Sequence, residues 1–222
     1  MAPKGTDWST ELFGPKLLTK PKTTGIPTPS AFGGKKLVAL YFSASWCPPC
    51  RSFSPKLIEF YNSCKNDLEI VFVSSDRDEK SFGDYFGKFP WLAMVPAFTS
   101  DESRDRQGKL ANMFQIQGIP SVIVLDAKTG NFITNNARTE IMQTTSDESK
   151  KELVASWLAK EAVPIDQAVF TSDDSEGFLV KAVKYFAQRP AYIFGLMYMI
   201  KQLLKYLEEL GKDDGIENGK EL

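Results

Sequence analysis

Two short apolar runs separated by a helical pattern constrain the fold of this chain more than any other feature. Residues 37–42 and 68–73 are rich in β-branched and aromatic side chains, which is typical of strands buried on both faces of a sheet. Between them, residues 48 to about 62 carry apolar side chains at helical spacing. This order predicts a βαβ unit with parallel strands and a right-handed crossover.

Two cysteines, Cys47 and Cys50, lie where the first predicted strand gives way to the helix. In a helical turn, residues three apart share a face at about 5 to 6 Å, within the range that a disulfide requires. Unpaired amides and the dipole at a helix start favour the thiolate, which is the nucleophilic form of cysteine. Cys47 precedes the first turn, so we expect it to benefit more from this field and to be more exposed than Cys50.

Prolines shape the same turn. Pro48 and Pro49 fix two φ angles at about −65° and suit the first helical positions, where a backbone donor is least missed. Because neither carries an N–H, the N–H and S–H groups of Cys50 are the expected local partners of Cys47. Pro55 lies inside the predicted helix and should bend it at the cost of one backbone hydrogen bond.

The cysteine inventory limits the chemistry of this pair. A closed zinc or iron–sulfur site needs further ligands, yet the chain has three cysteines in all and no histidine. Haem attachment requires a histidine directly after the pair, where this chain has Arg51. A permanent structural disulfide across so small a loop would remove little entropy from the unfolded chain. We therefore predict redox chemistry and no bound metal.

The third cysteine, Cys64, is expected to stand apart from the pair. It lies fourteen residues beyond Cys50, which is about 21 Å along a helix. It cannot join the bridge, and we predict a buried apolar thiol.

Composition and charge are those of an ordinary soluble protein. The 222 residues are 42% hydrophobic and 25% charged, enough for one domain with a sizeable core and an appendage. A formal net charge of −1 gives no overall attraction to nucleic acid or to an anionic membrane. The first thirty residues contain no apolar segment of signal-peptide type. We therefore expect a cytoplasmic protein that binds no nucleic acid and has no transmembrane segment.

Further segments extend the predicted core. The pattern predicts a strand at residues 121–125, followed by a hairpin turn at 126–131, and helices at residues 79–89, 104–115 and 150–160. The first of these helices should pack in the core through the aromatic stripe Phe82, Tyr85, Phe86 and Phe89. The last should direct inward the apolar residues Leu153, Val154, Trp157 and Leu158.

Two segments flank the βαβ unit. Residues 12–36 contain several prolines and lysines, yet carry more apolar surface than a solvated linker usually has. They predict either a linker or a proline-broken hairpin at the edge of the sheet. Residues 74–78 leave the second strand at the carboxyl edge, where Cys47 also lies and where such sheets bind their substrates.

Several motifs together resemble a known family. They are YFSASWCPPCR at residues 41–51, YF at 85–86 before PWLA at 90–93, and GIPS at 118–121. This combination is similar to the tryparedoxin and nucleoredoxin branch of the thioredoxin superfamily, over roughly residues 12–145. The resemblance implies an α/β thioredoxin fold, with a mixed central sheet flanked by helices.

The resemblance also implies roles for single residues. Cys47 would attack a substrate disulfide, Cys50 would resolve the mixed disulfide, and a cis Pro120 would receive the substrate backbone. Other residues implied to bind substrate or shape the site are Trp46, Pro48, Pro49, Arg51 and Ile119. No cofactor would be bound. An external thiol donor, either a low-molecular-weight thiol or a thioredoxin system, would supply electrons for disulfide-containing target proteins such as peroxidases.

At two positions this chain has a different residue from many thioredoxins or tryparedoxins. Many thioredoxins carry a buried aspartate six residues before the first cysteine, where this chain has Tyr41. A phenol with a reference pKa of about 10 is a poor base near neutrality, so water or Cys47 itself must relay the Cys50 proton. Many tryparedoxins have a tryptophan where this chain has Ser75.

The family pattern does not cover the C-terminal part. We expect a thioredoxin-like domain at residues 37–164 between an N-terminal extension (1–36) and a helical C-terminal extension (165–222). Residues 178–188 and 193–210 predict helices, the second with a coiled-coil-like seam. Three interpretations remain for this extension: packing on the core, self-association or partner docking through residues 178–210, and lying in a membrane interface.

The predicted function is reduction of protein disulfides through the WCPPC dithiol. The alternative is a redox-regulated protein-binding module, similar to a nucleoredoxin-like regulator, in which the cysteine pair switches a docking surface and turnover is incidental.

Overall fold

The structure is a computed structural model that describes residues 7–19, 25–170 and 201–202. Within these residues, seven strands form one sheet, accompanied by seven α-helices. The strands are β1 (Lys16–Leu18), β2 (Gly25–Pro27), β3 (Leu37–Ser43), β4 (Leu68–Ser74), β5 (Leu92–Ala93), β6 (Ser121–Asp126) and β7 (Phe132–Thr134). The helices are α1 (Trp8–Phe13), α2 (Thr28–Ala31), α3 (Pro48–Cys64), α4 (Glu79–Phe86), α5 (Asp101–Met113), α6 (Ala137–Gln143) and α7 (Asp147–Ala159).

The centre of the sheet contains the predicted βαβ unit. The strand order is β2-β1-β5-β4-β3-β6-β7, and β3 pairs in parallel with β4 from Leu37 opposite Leu68 to Ser43 opposite Ser74. β6 lies on the other side of β3 in antiparallel orientation. The sheet is therefore mixed, as the resemblance implies.

Helices cover both faces of β3 and β4, which explains their unbroken apolar runs. Leu37, Ala39 and Tyr41 face one core cluster, to which α3, α4, α6 and α7 contribute. The intervening residues Val38, Leu40 and Phe42 face a second cluster, to which α1 and α5 contribute. Because successive strand residues point to opposite faces, a strand between two cores must be apolar at every position.

The N-terminal segment forms the edge hairpin that was one of two expectations. β1 pairs antiparallel with both β2 and β5, so it extends the sheet at one edge. The Trp8 ring stacks on Phe32, with centroids 5.7 Å apart, and Phe13 packs edge-on against both rings. These aromatic contacts fix α1 to the second cluster.

Helix boundaries differ from the predictions where caps or turns decide them. α4 ends at Phe86 rather than at residue 89. The N–H groups of Lys88 and Phe89 bond to carbonyls three residues back, at 3.1 and 2.9 Å, and not four residues back as in an α-helix. α5 and α7 each begin three residues earlier than expected, because Ser100 and Ser146 cap their first turns. Capping hydroxyls satisfy free N–H groups and so extend a helix beyond its apolar stripe.

One inward prediction on α7 is wrong. Leu158 is 41% exposed, whereas Val154 and Trp157 are buried together with Lys150. At about 100° per residue, Leu158 lies at the edge of the face formed by those three residues, where it meets solvent.

The pattern did not predict α1, α2, β5 and α6. These elements have 6, 4, 2 and 7 residues, which is too short for a periodic pattern to stand out. β5 forms only because it pairs with β4, with Leu92 opposite Val71.

Residues 165–170, which open the proposed C-terminal extension, pack against the core. The Phe170 ring contacts Phe114 and Phe132, with centroids 6.1 and 5.0 Å apart. The contacts divide the chain into two units, Met1–Asp173 and Asp174–Leu222. The helices predicted within residues 178–210 fall outside the described residues, apart from positions 201 and 202. No helix in the described ranges is long and apolar enough to cross a membrane.

Candidate active site

Cys47 and Cys50 form a disulfide at the carboxyl end of β3. Their Cα atoms are 5.2 Å apart, as the spacing of three residues at a helix start allows. Cys50 lies in the first turn of α3, and Cys47 is the residue that caps this helix. The bridge therefore stands at the amino end of a seventeen-residue helix, which is the positive end of the helix dipole.

The backbone around the bridge has the predicted hydrogen bond. Pro48 and Pro49 occupy the first helical positions, and the Cys50 N–H donates to Cys47 Sγ at 3.3 Å. The N–H of Arg51 donates to the Cys47 carbonyl at 3.1 Å, which closes the first helical turn. A backbone N–H aimed at Cys47 Sγ is the arrangement that stabilises a thiolate when the disulfide is opened.

Cys47 is less exposed than the sequence suggested. It is 4% exposed and Cys50 is 0% exposed, so the predicted order holds, but both residues are buried in the disulfide form. Cys47 packs with Ala44, Cys50 and Ile119. The exposed group of the motif is Trp46, at 54%, with Pro48 and Pro49 beside the bridge also exposed.

A loop distant in sequence completes the wall of the site. The Ile119–Pro120 peptide bond is cis, as the resemblance implies. Cys47 Sγ lies 3.7 Å from the Ile119 carbonyl oxygen. A disulfide sulfur carries no proton, so this is a contact and not a hydrogen bond in the oxidised protein. The segment that opens β6 is thus in direct contact with the sulfur of Cys47.

Asp76, which the sequence analysis did not single out as a site residue, anchors the turn before the cysteines. Its carboxylate accepts hydrogen bonds from the Ser45 N–H and hydroxyl at 2.8 and 2.7 Å. The Ser74 hydroxyl donates to its other oxygen at 2.8 Å, and the residue is 4% exposed. A buried carboxylate with three donors holds a turn firmly, because moving it would leave a charge unpaired.

Trp46 and Arg51 fasten the same turn from outside. The Trp46 indole N–H donates to the Ser75 carbonyl at 3.1 Å, and an Arg51 guanidinium N–H donates to the Ser45 carbonyl at 2.8 Å. A cleft of about 380 Å³ lies beside Trp46, lined by Ser45, Trp46, Arg77, Asp78 and Ser81. The exposed indole therefore has a fixed orientation beside open space.

Tyr41 lies behind Cys50, where many thioredoxins have the aspartate. Its hydroxyl contacts Ser54 and Ser43 at 2.9 Å each. Burial raises the pKa of this phenol above its ordinary value, so it stays protonated near neutrality and cannot serve as a base. The structure thus agrees with the expectation that the Cys50 proton has another acceptor.

Cys64 is a free, buried thiol at the far end of α3, as predicted. Burial raises its pKa to about 11, so its thiolate is scarce at neutral pH. Among the described residues, no group of histidine, cysteine, aspartate and glutamate side chains is arranged to hold a metal ion.

The structure brings together most of the residues implied by the motifs. Trp46, both cysteines, Arg51 and the segment 119–120 surround one site. Sequence reasoning missed the contributions of Asp76 and of Ser54, whose hydroxyl lies 2.9 Å from the Tyr41 hydroxyl and 2.7 Å from the Tyr85 hydroxyl. The signals were weak, since a serine four residues after Cys50 and a tyrosine in an aromatic stripe both fit an ordinary core.

Comparisons with known proteins agree with this geometry. Residues 34–132 match a family model described as thioredoxin-like. The chain is 43% identical over 110 residues to the tryparedoxin of Trypanosoma brucei brucei, covering 49% of this chain and 73% of that protein. It is 57% identical over 95 residues to probable nucleoredoxin 1 of Arabidopsis thaliana, covering 42% of this chain but only 15% of that protein.

A solved structure extends the likeness to the fold. A tryparedoxin II in complex with glutathionylspermidine superposes with a TM-score of 0.51 at 35% identity, over 58% of this chain and 85% of that chain. The chain therefore belongs to the tryparedoxin and nucleoredoxin branch of the thioredoxin superfamily, whose members are in general thiol:disulfide oxidoreductases.

Proposed function

We propose that this chain reduces disulfides in target proteins through the Cys47 and Cys50 pair. The observation that carries the proposal is the Cys47–Cys50 disulfide at the start of α3, in contact with the Ile119 carbonyl before a cis proline. An open cleft and an exposed indole at Trp46 offer a surface for a protein target beside it.

The proposed reaction passes two electrons from the dithiol to the target. The Cys47 thiolate attacks one sulfur of the target disulfide, and the other target sulfur leaves as a thiolate that takes a proton from solvent. Cys50 then loses its proton to water and attacks Cys47 Sγ, which breaks the mixed disulfide and releases the second target sulfur. The protein is left with the Cys47–Cys50 disulfide, and the target gains two thiols.

An external thiol donor must then reduce the Cys47–Cys50 bridge again. The related tryparedoxin II forms a complex with glutathionylspermidine, which supports a low-molecular-weight thiol in this role. A thioredoxin system is the other candidate donor. We propose disulfide-containing proteins, peroxidases among them, as targets and the reducing cytoplasm as the compartment.

A trapping experiment tests the assignment of the two cysteines. With Cys50→Ser, the mixed disulfide with a target cannot be resolved, so we expect covalent complexes through Cys47 that dithiothreitol releases. Cys64→Ala is the matched control, and it should form no such complexes. Trapping that requires Cys47→Ser instead would reverse the two roles.

The reduction potential of the pair tests the function independently of any target. Working oxidoreductases have potentials between about −180 and −270 mV, whereas structural disulfides lie below about −300 mV. Equilibration in thiol buffers, followed by counting free thiols by mass, gives this value. A potential in the structural range would overturn the proposed function.

A further inference from the structure

A closed ring of four buried hydroxyls lies behind Cys50. The Tyr41 hydroxyl is 2.9 Å from Ser54 Oγ, Ser54 Oγ is 2.7 Å from the Tyr85 hydroxyl, and the Tyr85 hydroxyl is 3.1 Å from Ser43 Oγ. Ser43 Oγ closes the ring by donating to the Tyr41 hydroxyl at 2.9 Å. All four residues are at most 4% exposed. We call these four residues the hydroxyl ring.

The hydroxyl ring is attached to the backbone of Cys50. Ser54 Oγ donates to the Cys50 carbonyl at 2.8 Å, and the Tyr41 hydroxyl lies 3.4 Å from the same oxygen. The ring belongs to three elements, because Tyr41 and Ser43 are on β3, Ser54 is on α3, and Tyr85 is on α4. It therefore ties the first turn of α3 to the sheet and to the neighbouring helix.

One arrangement of protons satisfies all four hydroxyls. Ser54 donates to the Cys50 carbonyl and Ser43 donates to Tyr41, so both tyrosines are free to donate to Ser54. Ser54 then accepts two hydrogen bonds and donates one. In this arrangement the contact between Ser43 and Tyr85, which is the longest of the ring at 3.1 Å, carries no proton. Ser54 is thus the centre of the network.

From this geometry we infer that Ser54 and Tyr85 are positioning residues for the resolving step, acting through the backbone of Cys50. This inference rests on the proposed function. Once the disulfide is reduced, the bridge no longer holds the Cys50 backbone, and its position depends on its other contacts. The hydroxyl ring supplies such contacts to Cys50 and none to Cys47, so it acts on the second of the two chemical steps.

The ring holds Cys50 without placing a charge beside it. Among the residues that contact the Cys50 carbonyl through side chains, both partners are neutral hydroxyls. Ser54 is oriented by the two tyrosine hydroxyls on one side and by the Cys50 carbonyl on the other. Removing the Ser54 hydroxyl takes away the acceptor of both tyrosines, and removing the Tyr85 hydroxyl takes away one of the two donors that orient Ser54. Either change loosens the first turn of α3.

The test separates the two steps in the full-length protein. Reduced protein is mixed with a synthetic peptide closed by one disulfide, quenched with acid over time, and weighed to count free protein, mixed disulfide and bridged product. In Ser54→Ala and Tyr85→Phe, mixed-disulfide formation should stay within about twofold, while its resolution slows at least about tenfold and the adduct accumulates.

Matched variants distinguish a role in positioning Cys50 from a general loss of structure. Ser52→Ala removes a hydroxyl that donates to the Pro48 carbonyl on the exposed face of the same helix. Tyr61→Phe keeps the buried ring and removes the hydroxyl that donates to Glu69. Both should resolve the adduct at the wild-type rate. Ser54→Thr retains the hydroxyl and should restore fast resolution, and thermal unfolding establishes that each variant is folded at the temperature used.

Each outcome bears on one of the two proposals. A wild-type protein that neither forms nor resolves the adduct overturns the proposed function itself. A wild-type protein that turns over, with Ser54→Ala and Tyr85→Phe resolving equally fast, overturns the role of the hydroxyl ring. Equal slowing of both steps also overturns it, because the ring would then have only a structural role. If Ser54→Ala does not fold, Tyr85→Phe decides alone.

Discussion

The two ends of α3 carry cysteines with opposite properties. At the amino end, Cys47 caps the helix and receives the N–H of Cys50, and it lies against the Ile119 carbonyl. At the carboxyl end, Cys64 is 5% exposed, and burial raises its pKa to about 11. Both cysteines are nearly inaccessible in the disulfide form, so exposure alone does not separate them.

Helix direction and local hydrogen-bond donors therefore decide the chemistry of a cysteine. A helix start presents N–H groups and positive potential to a sulfur, whereas a helix end presents carbonyls and negative potential. At Cys64, burial is the main cause of the raised pKa of the thiol, and the nearby charges of Lys150 and Lys151 offset only part of it. Substitution, alkylation and truncation each test this contrast.

Removing the two thiols one at a time should give the clearest contrast. Cys47→Ser should lower disulfide reduction at least about a thousandfold, because the nucleophile is lost. Cys64→Ala should change it by no more than about twofold, since a buried inert thiol acts as a small apolar group. The measurement is the rate of insulin reduction with dithiothreitol as donor. A large loss of activity in Cys64→Ala would show that the carboxyl end of α3 takes part.

Alkylation of the reduced protein should show the same contrast without turnover. With a pKa of about 11, Cys64 is ionised in about one molecule in ten thousand at pH 7. We expect iodoacetamide to modify Cys47 at least about a hundredfold faster. Labelling of Cys64 should rise about tenfold per pH unit until pH approaches its pKa. Equal labelling of both thiols at pH 7 contradicts the proposed contrast.

Replacing the buried carboxylate of Asp76 should lower the stability of the protein more than replacing a neighbouring surface carboxylate. Asp76→Asn replaces an acceptor of three hydrogen bonds, and should lower the free energy of unfolding by about 1 to 3 kcal/mol. Activity should also fall, because Ser45 and Trp46 lose their fixed position. Chemical denaturation and insulin reduction measure the two effects.

Asp78→Asn is the control for the Asp76 variant. Asp78 caps α4 by accepting the Ser81 N–H, and asparagine caps helices about as well as aspartate. We expect a smaller change in the free energy of unfolding. The control concerns stability alone, because Asp78 also lines the cleft beside Trp46. If the two variants lose equal stability, the buried carboxylate is no special anchor of the site.

Removing residues 171–222 should change the disulfide reductase activity less than any of the substitutions above. The chain that ends after Phe170 keeps that ring on Phe114 and Phe132, so the activity and the labelling contrast should stay within about twofold. A chain that ends after residue 164 loses these contacts and should be less stable by about 1 to 2 kcal/mol. Unchanged activity together with lost target capture would favour the binding-module alternative.

The local parts of the site were predictable from the sequence. The placement of Cys47 and Cys50 follows from three-residue spacing and from the change between strand and helix periodicity, both of which act over a few residues. The burial of Cys64 followed from the apolar face of the same helix. The exposure of Leu158 was missed because a residue at the edge of a helical stripe can be covered or uncovered by its neighbours.

The βαβ core, the redox pair at its carboxyl edge and the likeness to the tryparedoxin branch follow from the sequence alone. Which further groups join the site depends on the tertiary structure. Asp76 lies in the segment after β4 and Tyr85 lies on α4, and their contacts depend on strand order and helix packing. Hydrogen bonds between distant segments leave no periodic trace in a sequence, because either partner alone resembles an ordinary polar or core residue.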